Sequence, residues 1–279
     1  MKNIYAKALR MSLVIVALLS FAGSIMAQSK TKVVAHRGHW DTEGSYENTI
    51  TALKMAHEVG ADACEFDINM TTDGVLVVCH GPQVGTIANI QHASYADVMG
   101  VTLPNGEKVP TLEQFLKAGK KGYKVKQKDG STKLVKLPLV LEIKPHERLD
   151  QAAEIVSKVA FLLKKMKMLD QVSIISFSYE ACLEAAKQIP GIMVQYLTGD
   201  KTPYELKNDG IMGMDYHHSL TLVNAEWIEQ AHELGMVVNV WTVDNPEMIA
   251  TMAQLGVDYI TTNKPALAKE IIEQVEAKK

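Results

Sequence analysis

Eight short apolar runs, each four to seven residues long, alternate with longer amphipathic stretches along almost the whole chain, and few architectures accept that pattern. The runs fall at 33–36, 63–68, 139–143, 172–176, 193–197, 212–216, 237–243 and 258–261. Apolar runs this short read as buried strands. Helical patterns lie between most of them, at 49–59, 149–168, 179–188, 224–234 and 246–255, with a last one at 265–276. Gly60, Gly235 and Gly256 stand where helices stop. Strands that alternate with helices pair in parallel. Eight such units in about 250 residues suit an α/β fold of the closed (β/α)8 TIM-barrel kind better than an open sheet. No linker rich in Gly, Pro or Ser divides the chain, so residues 28–279 are expected to form one domain.

Residues 1–27 stand outside the pattern. Lys2, Lys7 and Arg10 precede an apolar stretch at 13–22, and the small residues Ser24 and Ala27 offer a cleavage point after Ala27. Ile25 is less usual at its place before that bond. This segment is expected to be a signal peptide, which makes the mature chain exported, periplasmic or secreted, with no stable membrane insertion. An uncleaved anchor is the alternative, and the shortness of the apolar stretch argues against it. An exported chain can carry disulfides. Cys64, Cys79 and Cys182 each sit inside an apolar run, however, and read as buried thiols. The net charge of −3 comes without a long basic run, so nothing points to nucleic acid. Residues 117–136 are basic and polar and read as an exposed hairpin or loop.

In a barrel of this kind reacting groups gather at the C-terminal ends of the strands. Those ends can be read off: His36-Arg37, Glu65 to Asp67, Glu142 to Lys144, Ser176-Phe177, Asp215 to His218, Trp241-Thr242 and Thr261 to Asn263 among them. Strand ends chosen for packing alone seldom carry so many ionisable groups, because burying them without partners is costly. One further run, at 75–79, follows the second strand with no helix between. Asp73-Gly74, flanked by apolar residues, reads as a two-residue turn, so this run is expected to fold back antiparallel as a β-hairpin. With that turn Thr72 faces Val75 and His80 faces Asp67, on the face that Glu65 shares. A slip of one residue would break the arrangement. The same register keeps Cys79 about 13 Å from Cys64 along the strand, too far for a disulfide.

Glu65, Asp67 and Glu142 are then three carboxylates facing one another. Salt bridges to Arg37 and Lys144 are one way to hold them; a hard divalent cation, Ca2+ or Mg2+, is the other, and the clustering favours it. His36 and His80 flank the cluster and suit proton transfer in both directions. Arg37 and Lys144 suit phosphate oxygens. A metal, two histidines and two cations together point to a phosphoester site.

The motifs resemble those of the glycerophosphodiester phosphodiesterase family. They are His36-Arg37-Gly38, Glu47-Asn48-Thr49, Gly60-Ala61-Asp62, Glu65-Phe66-Asp67, Thr72-Asp73-Gly74 and His80, followed by the blocks at 109–116, 141–144, 175–177, 240–244 and 256–265. Each block alone is weak; the ordered set spans nearly all of the chain beyond residue 27. The resemblance implies Glu65, Asp67 and Glu142 as metal ligands, His36 and His80 as the acid–base pair, and Arg37 and Lys144 on the phosphate. It implies a glycerophosphodiester substrate, and sn-glycerol 3-phosphate and an alcohol as products. It also implies a route in which the glycerol 2-hydroxyl attacks phosphorus before water opens the cyclic phosphate. Trp241, at a strand tip, is expected to wall the substrate. Three departures stand out: Tyr46 where the family keeps proline, Gly81 where it keeps Asp, and Asn263 where Asp is common.

Two enzyme rivals share such a barrel, a sphingomyelinase-D-like enzyme and a phosphatidylinositol-specific phospholipase. Either calls for an apolar, membrane-seeking loop, and the stretch 81–100 is only modestly apolar. A non-catalytic periplasmic phosphodiester-binding protein would lack a catalytic group, and none is missing. His57, His92, His146 and His232 read as helix or loop surface.

Overall fold

The computed structural model describes residues 30–126, 129–148 and 150–278. The signal-peptide expectation for residues 1–27 lies outside them. Strands are numbered in chain order: β1 (Lys32–Ala35), β2 (Ala63–Met70), β3 (Leu76–Val78), β4 (Tyr123–Lys126), β5 (Thr132–Val135), β6 (Leu139–Ile143), β7 (Val172–Ser176), β8 (Val194–Tyr196), β9 (Gly213–His217), β10 (Val237–Trp241) and β11 (Tyr259–Thr262). Among the described residues, eight of these pair in parallel in the order β1-β11-β10-β9-β8-β7-β6-β2, and a β1–β2 pairing closes the ring. This is the (β/α)8 barrel expected from the alternation.

Period two along each strand sorts the core into two compartments. Val33 and Ala35 of β1, and Cys64, Phe66 and Ile68 of β2, face outward into the layer between sheet and helices. Phe66 stacks there on Phe115, with ring centroids 4.3 Å apart. Val34, Ala63, Val140, Ile175 and Leu197 fill the barrel itself. Glu65 and Asp67 share the inward parity of Ala63, and Glu142 that of Val140. The strands therefore deliver carboxylates to the barrel's interior near its C-terminal rim. The helix Ile50–Glu58, which seals the outside of the first unit, starts where the sequence placed it: the Thr49 hydroxyl accepts from the Ala52 amide at 3.0 Å.

β2 and β3 form an antiparallel hairpin, but its register differs from the expected one by a residue. Ile68 faces Val78, and Met70 faces Leu76. The loop has three residues, not two. The Thr71 amide donates to Val75 O at 3.0 Å, the Gly74 amide donates to Thr71 O, and Gly74 takes φ +78°. That is a tight turn closed by a left-handed glycine bulge. Thr71 stabilises it, since its hydroxyl donates to Asp73 Oδ1 at 2.7 Å and accepts from the Val75 amide at 3.0 Å. Cys79, rather than His80, therefore stands opposite Asp67, and its amide donates to Asp67 O.

Beyond the hairpin, Val77, Cys79, Val84, Ile90, Val98, Leu103 and Val109 form a small core of their own beside the barrel. Of the basic stretch, residues 117–121 end the helix Leu112–Lys121, and β4 and β5 beyond them pair as a separate two-stranded ladder. Two histidines read as surface are not. His57 is buried and its Nε2 donates to Val135 O at 2.8 Å, tying this ladder to the barrel's helix layer. His146 is half-buried; its Nε2 accepts from the Met70 amide at 3.0 Å. The three cysteines are buried and unpaired, as their apolar settings implied. Among the described residues no helix is long and apolar enough to cross a membrane.

Candidate active site

One carboxylate oxygen from each of Glu65, Asp67 and Glu142 lies within 4.8 Å of the other two. All three side chains are buried. Backbone and neighbours hold them still. The Arg37 amide donates to Glu65 Oε2 at 2.7 Å, with Arg37 in the left-handed region at φ +56°. That is an unusual conformation for a residue with a side chain. Asn48 clasps Asp67 from both sides: its Nδ2 donates to Asp67 Oδ2 at 2.8 Å, and its Oδ1 accepts from the Asp67 amide at 2.9 Å. Gly38 follows Arg37 because the helix Ile50–Glu58 leaves no room: a Cβ there would stand 2.7 Å from the backbone of Ala52.

The charges do not balance. Arg37 Nη1 reaches Glu47 Oε2 at 2.6 Å, and its Nε lies 3.6 Å from Asp67 Oδ2. Lys144 Nζ stands 2.8 Å from Glu142 Oε1 and 3.4 Å from Asp67 Oδ1. Two cations thus face four carboxyl groups, two fewer than would be needed if all four ionised. Glu65 Oε1 is buried with no partner among the described residues, and Asp67 Oδ1 and Glu142 Oε1 share the one Lys144 ammonium. Burial, then repulsion from Asp67, pushes Glu142 up to about 8. Burial, Asp67 and Glu142 together push Glu65 well above the usual carboxylate range. Burial would raise Asp67 too, but Lys144 and Arg37 hold it below that range. Three convergent hard oxygen donors, two of them pushed up by burial and mutual repulsion, fit a divalent cation such as Ca2+ or Mg2+, whose charge would let all three ionise. Salt bridges alone leave them unsatisfied.

His36 lies just past β1. Its Nδ1 is 2.8 Å from Asn263 Oδ1, and its Nε2 is 4.0 Å from Glu65 Oε2. Burial, reinforced by the Arg37 charge, pulls it below the usual imidazole range. His80 arrives at the same place without the ladder pairing expected for it. The chain turns off after Cys79 through Gly81, at φ +56°, and Asn69 Nδ2 donates to Cys79 O at 2.9 Å. Burial draws His80 down as well, and the charges of Asp67, Lys144 and Arg37 all act on it. A Cβ at Gly81 would meet Asn69 Nδ2 at 2.8 Å, so the Asp of the family pattern would displace the Asn69 side chain from this turn. Tyr46 and Glu47 line, with His80 and Val109, a cavity of about 240 Å3 beside the site. On the other side Phe177 lies under Lys144 Nζ, 5.8 Å from ring centre to nitrogen. Trp241 meets Phe177 edge to face at 5.3 Å, and its indole donates to Asp215 O at 2.9 Å. Trp241 thereby extends an aromatic wall away from the charged cluster.

The expected site residues are thus gathered on one rim, with Trp241 at its edge. Sequence reasoning missed Asn48, Glu47 and Asn263 as parts of the site. Glu47 and Asn48, the latter at φ +60°, show in the sequence only as two letters of the Glu47-Asn48-Thr49 motif, and Asn263 only as a departure from the family pattern.

The model of the glycerophosphoryl diester phosphodiesterase family matches residues 36–267. A glycerophosphodiester phosphodiesterase of Caldanaerobacter subterraneus is 30% identical over 251 residues, covering 85% of this chain and 95% of its own. The crystal structure of a glycerophosphodiester phosphodiesterase from Parabacteroides distasonis superposes with a TM-score of 0.82 at 38% identity, covering 89% of this chain and 99% of that one. An Oleispira antarctica phosphodiesterase, solved with the product sn-glycerol-3-phosphate, shares the fold with a TM-score of 0.71 at 20% identity, covering 87% of this chain and 96% of its own.

Proposed function

Because the chain belongs to the glycerophosphoryl diester phosphodiesterase family, and is by that membership a phosphodiesterase, we propose that it hydrolyses glycerophosphodiesters to sn-glycerol 3-phosphate and an alcohol with a divalent cation and two histidines. The observation that carries this reading is the unbalanced carboxylate cluster, flanked by two cations and two histidines on one rim of the barrel. Glu65, Asp67 and Glu142 hold the cation, Ca2+ or Mg2+. When bound, it supplies charge stabilisation for the phosphoryl oxygens. Arg37 and Lys144 take the remaining oxygens and orient the diester. One histidine accepts the proton of the attacking glycerol 2-hydroxyl; the other gives a proton to the departing alcohol. The cyclic phosphate left behind is opened by water with the two roles exchanged. Trp241 and Phe177 wall the site and keep water from its far side.

A soluble diester is favoured over a membrane lipid by the segment after His80. Val84, Ile90 and Val98 of that segment are buried in the small core beside the barrel, and of its large apolar side chains only Met99 is exposed, too little to hold a bilayer. The mature chain is proposed to start near residue 28 and to work outside the cytoplasm, on the strength of the N-terminal pattern alone. The test is turnover of glycerophosphodiesters with different head groups by the purified protein, with and without EDTA, beside His36→Ala. Loss of turnover in EDTA and a fall in kcat of about 100- to 10,000-fold in the variant are expected. Full activity in either condition would refute the mechanism.

A further inference from the structure

We propose that Asp244 and Asn263 are positioning residues: together they fix the ring orientation and the tautomer of His36, so that Nε2 is the nitrogen that exchanges protons with substrate. The inference rests on the function proposed above and concerns its geometry.

The hydrogen bonds leave one arrangement. Asn263 Nδ2 lies 2.7 Å from Asp244 Oδ2, and a carboxylate can only accept there. The Asn263 amide nitrogen therefore points at Asp244, and its Oδ1 points the other way. A second, independent donor requires the same orientation: the Trp40 indole N–H, which cannot accept, donates to Asn263 Oδ1 at 3.0 Å. Turning the amide over would set NH2 against the indole N–H and oxygen against carboxylate. Asp244 is itself fixed, since its Oδ1 accepts from the backbone N–H of Asn263 and from the Thr262 hydroxyl, each at 2.8 Å. Asn263 Oδ1 is thus an acceptor held in place, and His36 Nδ1 lies 2.8 Å from it. Nδ1 must carry the hydrogen. In the neutral ring the lone pair is then on Nε2, the nitrogen that faces Glu65 and the cluster. The tautomer of a histidine is set by the bond its other nitrogen makes.

The departure at position 263 acquires a reason. A carboxylate there would confront Asp244 at hydrogen-bond distance; the amide instead joins Asp244 to His36. The amide and the acid are complementary, and exchanging them keeps every donor and acceptor matched.

The experiment uses ring-15N-labelled histidine in the EDTA-treated protein, at a pH where His36 is neutral, together with steady-state kinetics in Ca2+ or Mg2+. In the wild type, the His36 resonances are expected to report a protonated Nδ1 and a bare Nε2. Asn263→Leu should lose that signature and lower kcat by about 10- to 100-fold, with KM little changed. The double exchange Asp244→Asn with Asn263→Asp should restore both. A wild-type ring with its hydrogen on Nε2 would overturn the proposal. So would Asn263→Leu with signature and kcat unchanged, or a folded double exchange that restores neither. The two readings fail separately: the nitrogen signature reports positioning in protein free of metal, whereas turnover by His36→Ala reports the function.

Discussion

Replacing Glu142 by Gln should make the metal-free protein more stable and the metal-bound protein less so. The folded chain holds Glu142 at about 8 against an ordinary 4.5. A carboxylate raised in this way binds its proton more tightly when folded. Its favourable contribution is complete below the unfolded value and disappears as pH rises through the folded one. At about pH 7 the cost of keeping the buried acid protonated, relative to the unfolded chain, is at most about 3 kcal/mol. Gln has the same shape and no proton to lose. In EDTA, Glu142→Gln should therefore melt higher than wild type at neutral pH, by up to roughly 6–12 °C for a chain of this size, and the difference should shrink toward the acid end. Excess Ca2+ or Mg2+ should reverse the order. At a concentration about a thousand times Kd the wild type gains about 4.1 kcal/mol, more than the cost of its buried acid, and a site lacking one ligand does not match that gain. Thermal melts of both proteins across the pH range, with EDTA and with each cation, make the measurement. If Glu142→Gln melts lower than wild type in EDTA at neutral pH, Glu142 and Lys144 are a structural ion pair and the cation site is wrong.

Other consequences are simpler to measure. Asp215 is buried in the middle of β9, pushed up to about 8 by that burial, and its Oδ1 has no partner among the described residues. By the same sign Asp215→Asn should raise the melting temperature, with a gain that grows as pH rises and levels off above the folded value. A gain that grew toward acid would contradict the assignment. Burial pushes the Cys79 and Cys182 thiols up to about 12 and the Cys64 thiol well above its ordinary value. All three should resist a thiol reagent in the native protein and react on unfolding; rapid native labelling would speak against these burials.

The barrel was legible because strand and helix periodicities differ and because each strand is buried on both faces. The carboxylates were legible because parity is a local property: Glu65 and Asp67 share a face whatever the rest of the chain does. The hairpin register was not, since Asp73-Gly74 supports both a two-residue turn and a three-residue loop. The choice fell to the Thr71 hydroxyl, whose bonds to Asp73 and Val75 favour the longer loop. His80 reached the site all the same, by leaving the ladder at Gly81. Asn48 and Asn263 were hidden for another reason. Their value lies in bonds to residues distant in sequence, and an amide has no periodicity to betray it.

The closing of the ring also sets a clock. Glu65 enters 29 residues after His36, but Asn263, which grips the other side of the same imidazole, enters 227 residues after it. Contacts of such separation form late, after the loop entropy between them has been overcome. A chain emerging from synthesis, or one stalled before its last strand, holds most of its polar machinery with His36 untethered on that side. Competence at this rim arrives with the final β/α unit, so proteolysis or truncation near the C-terminus silences chemistry whose other parts were laid down at the start.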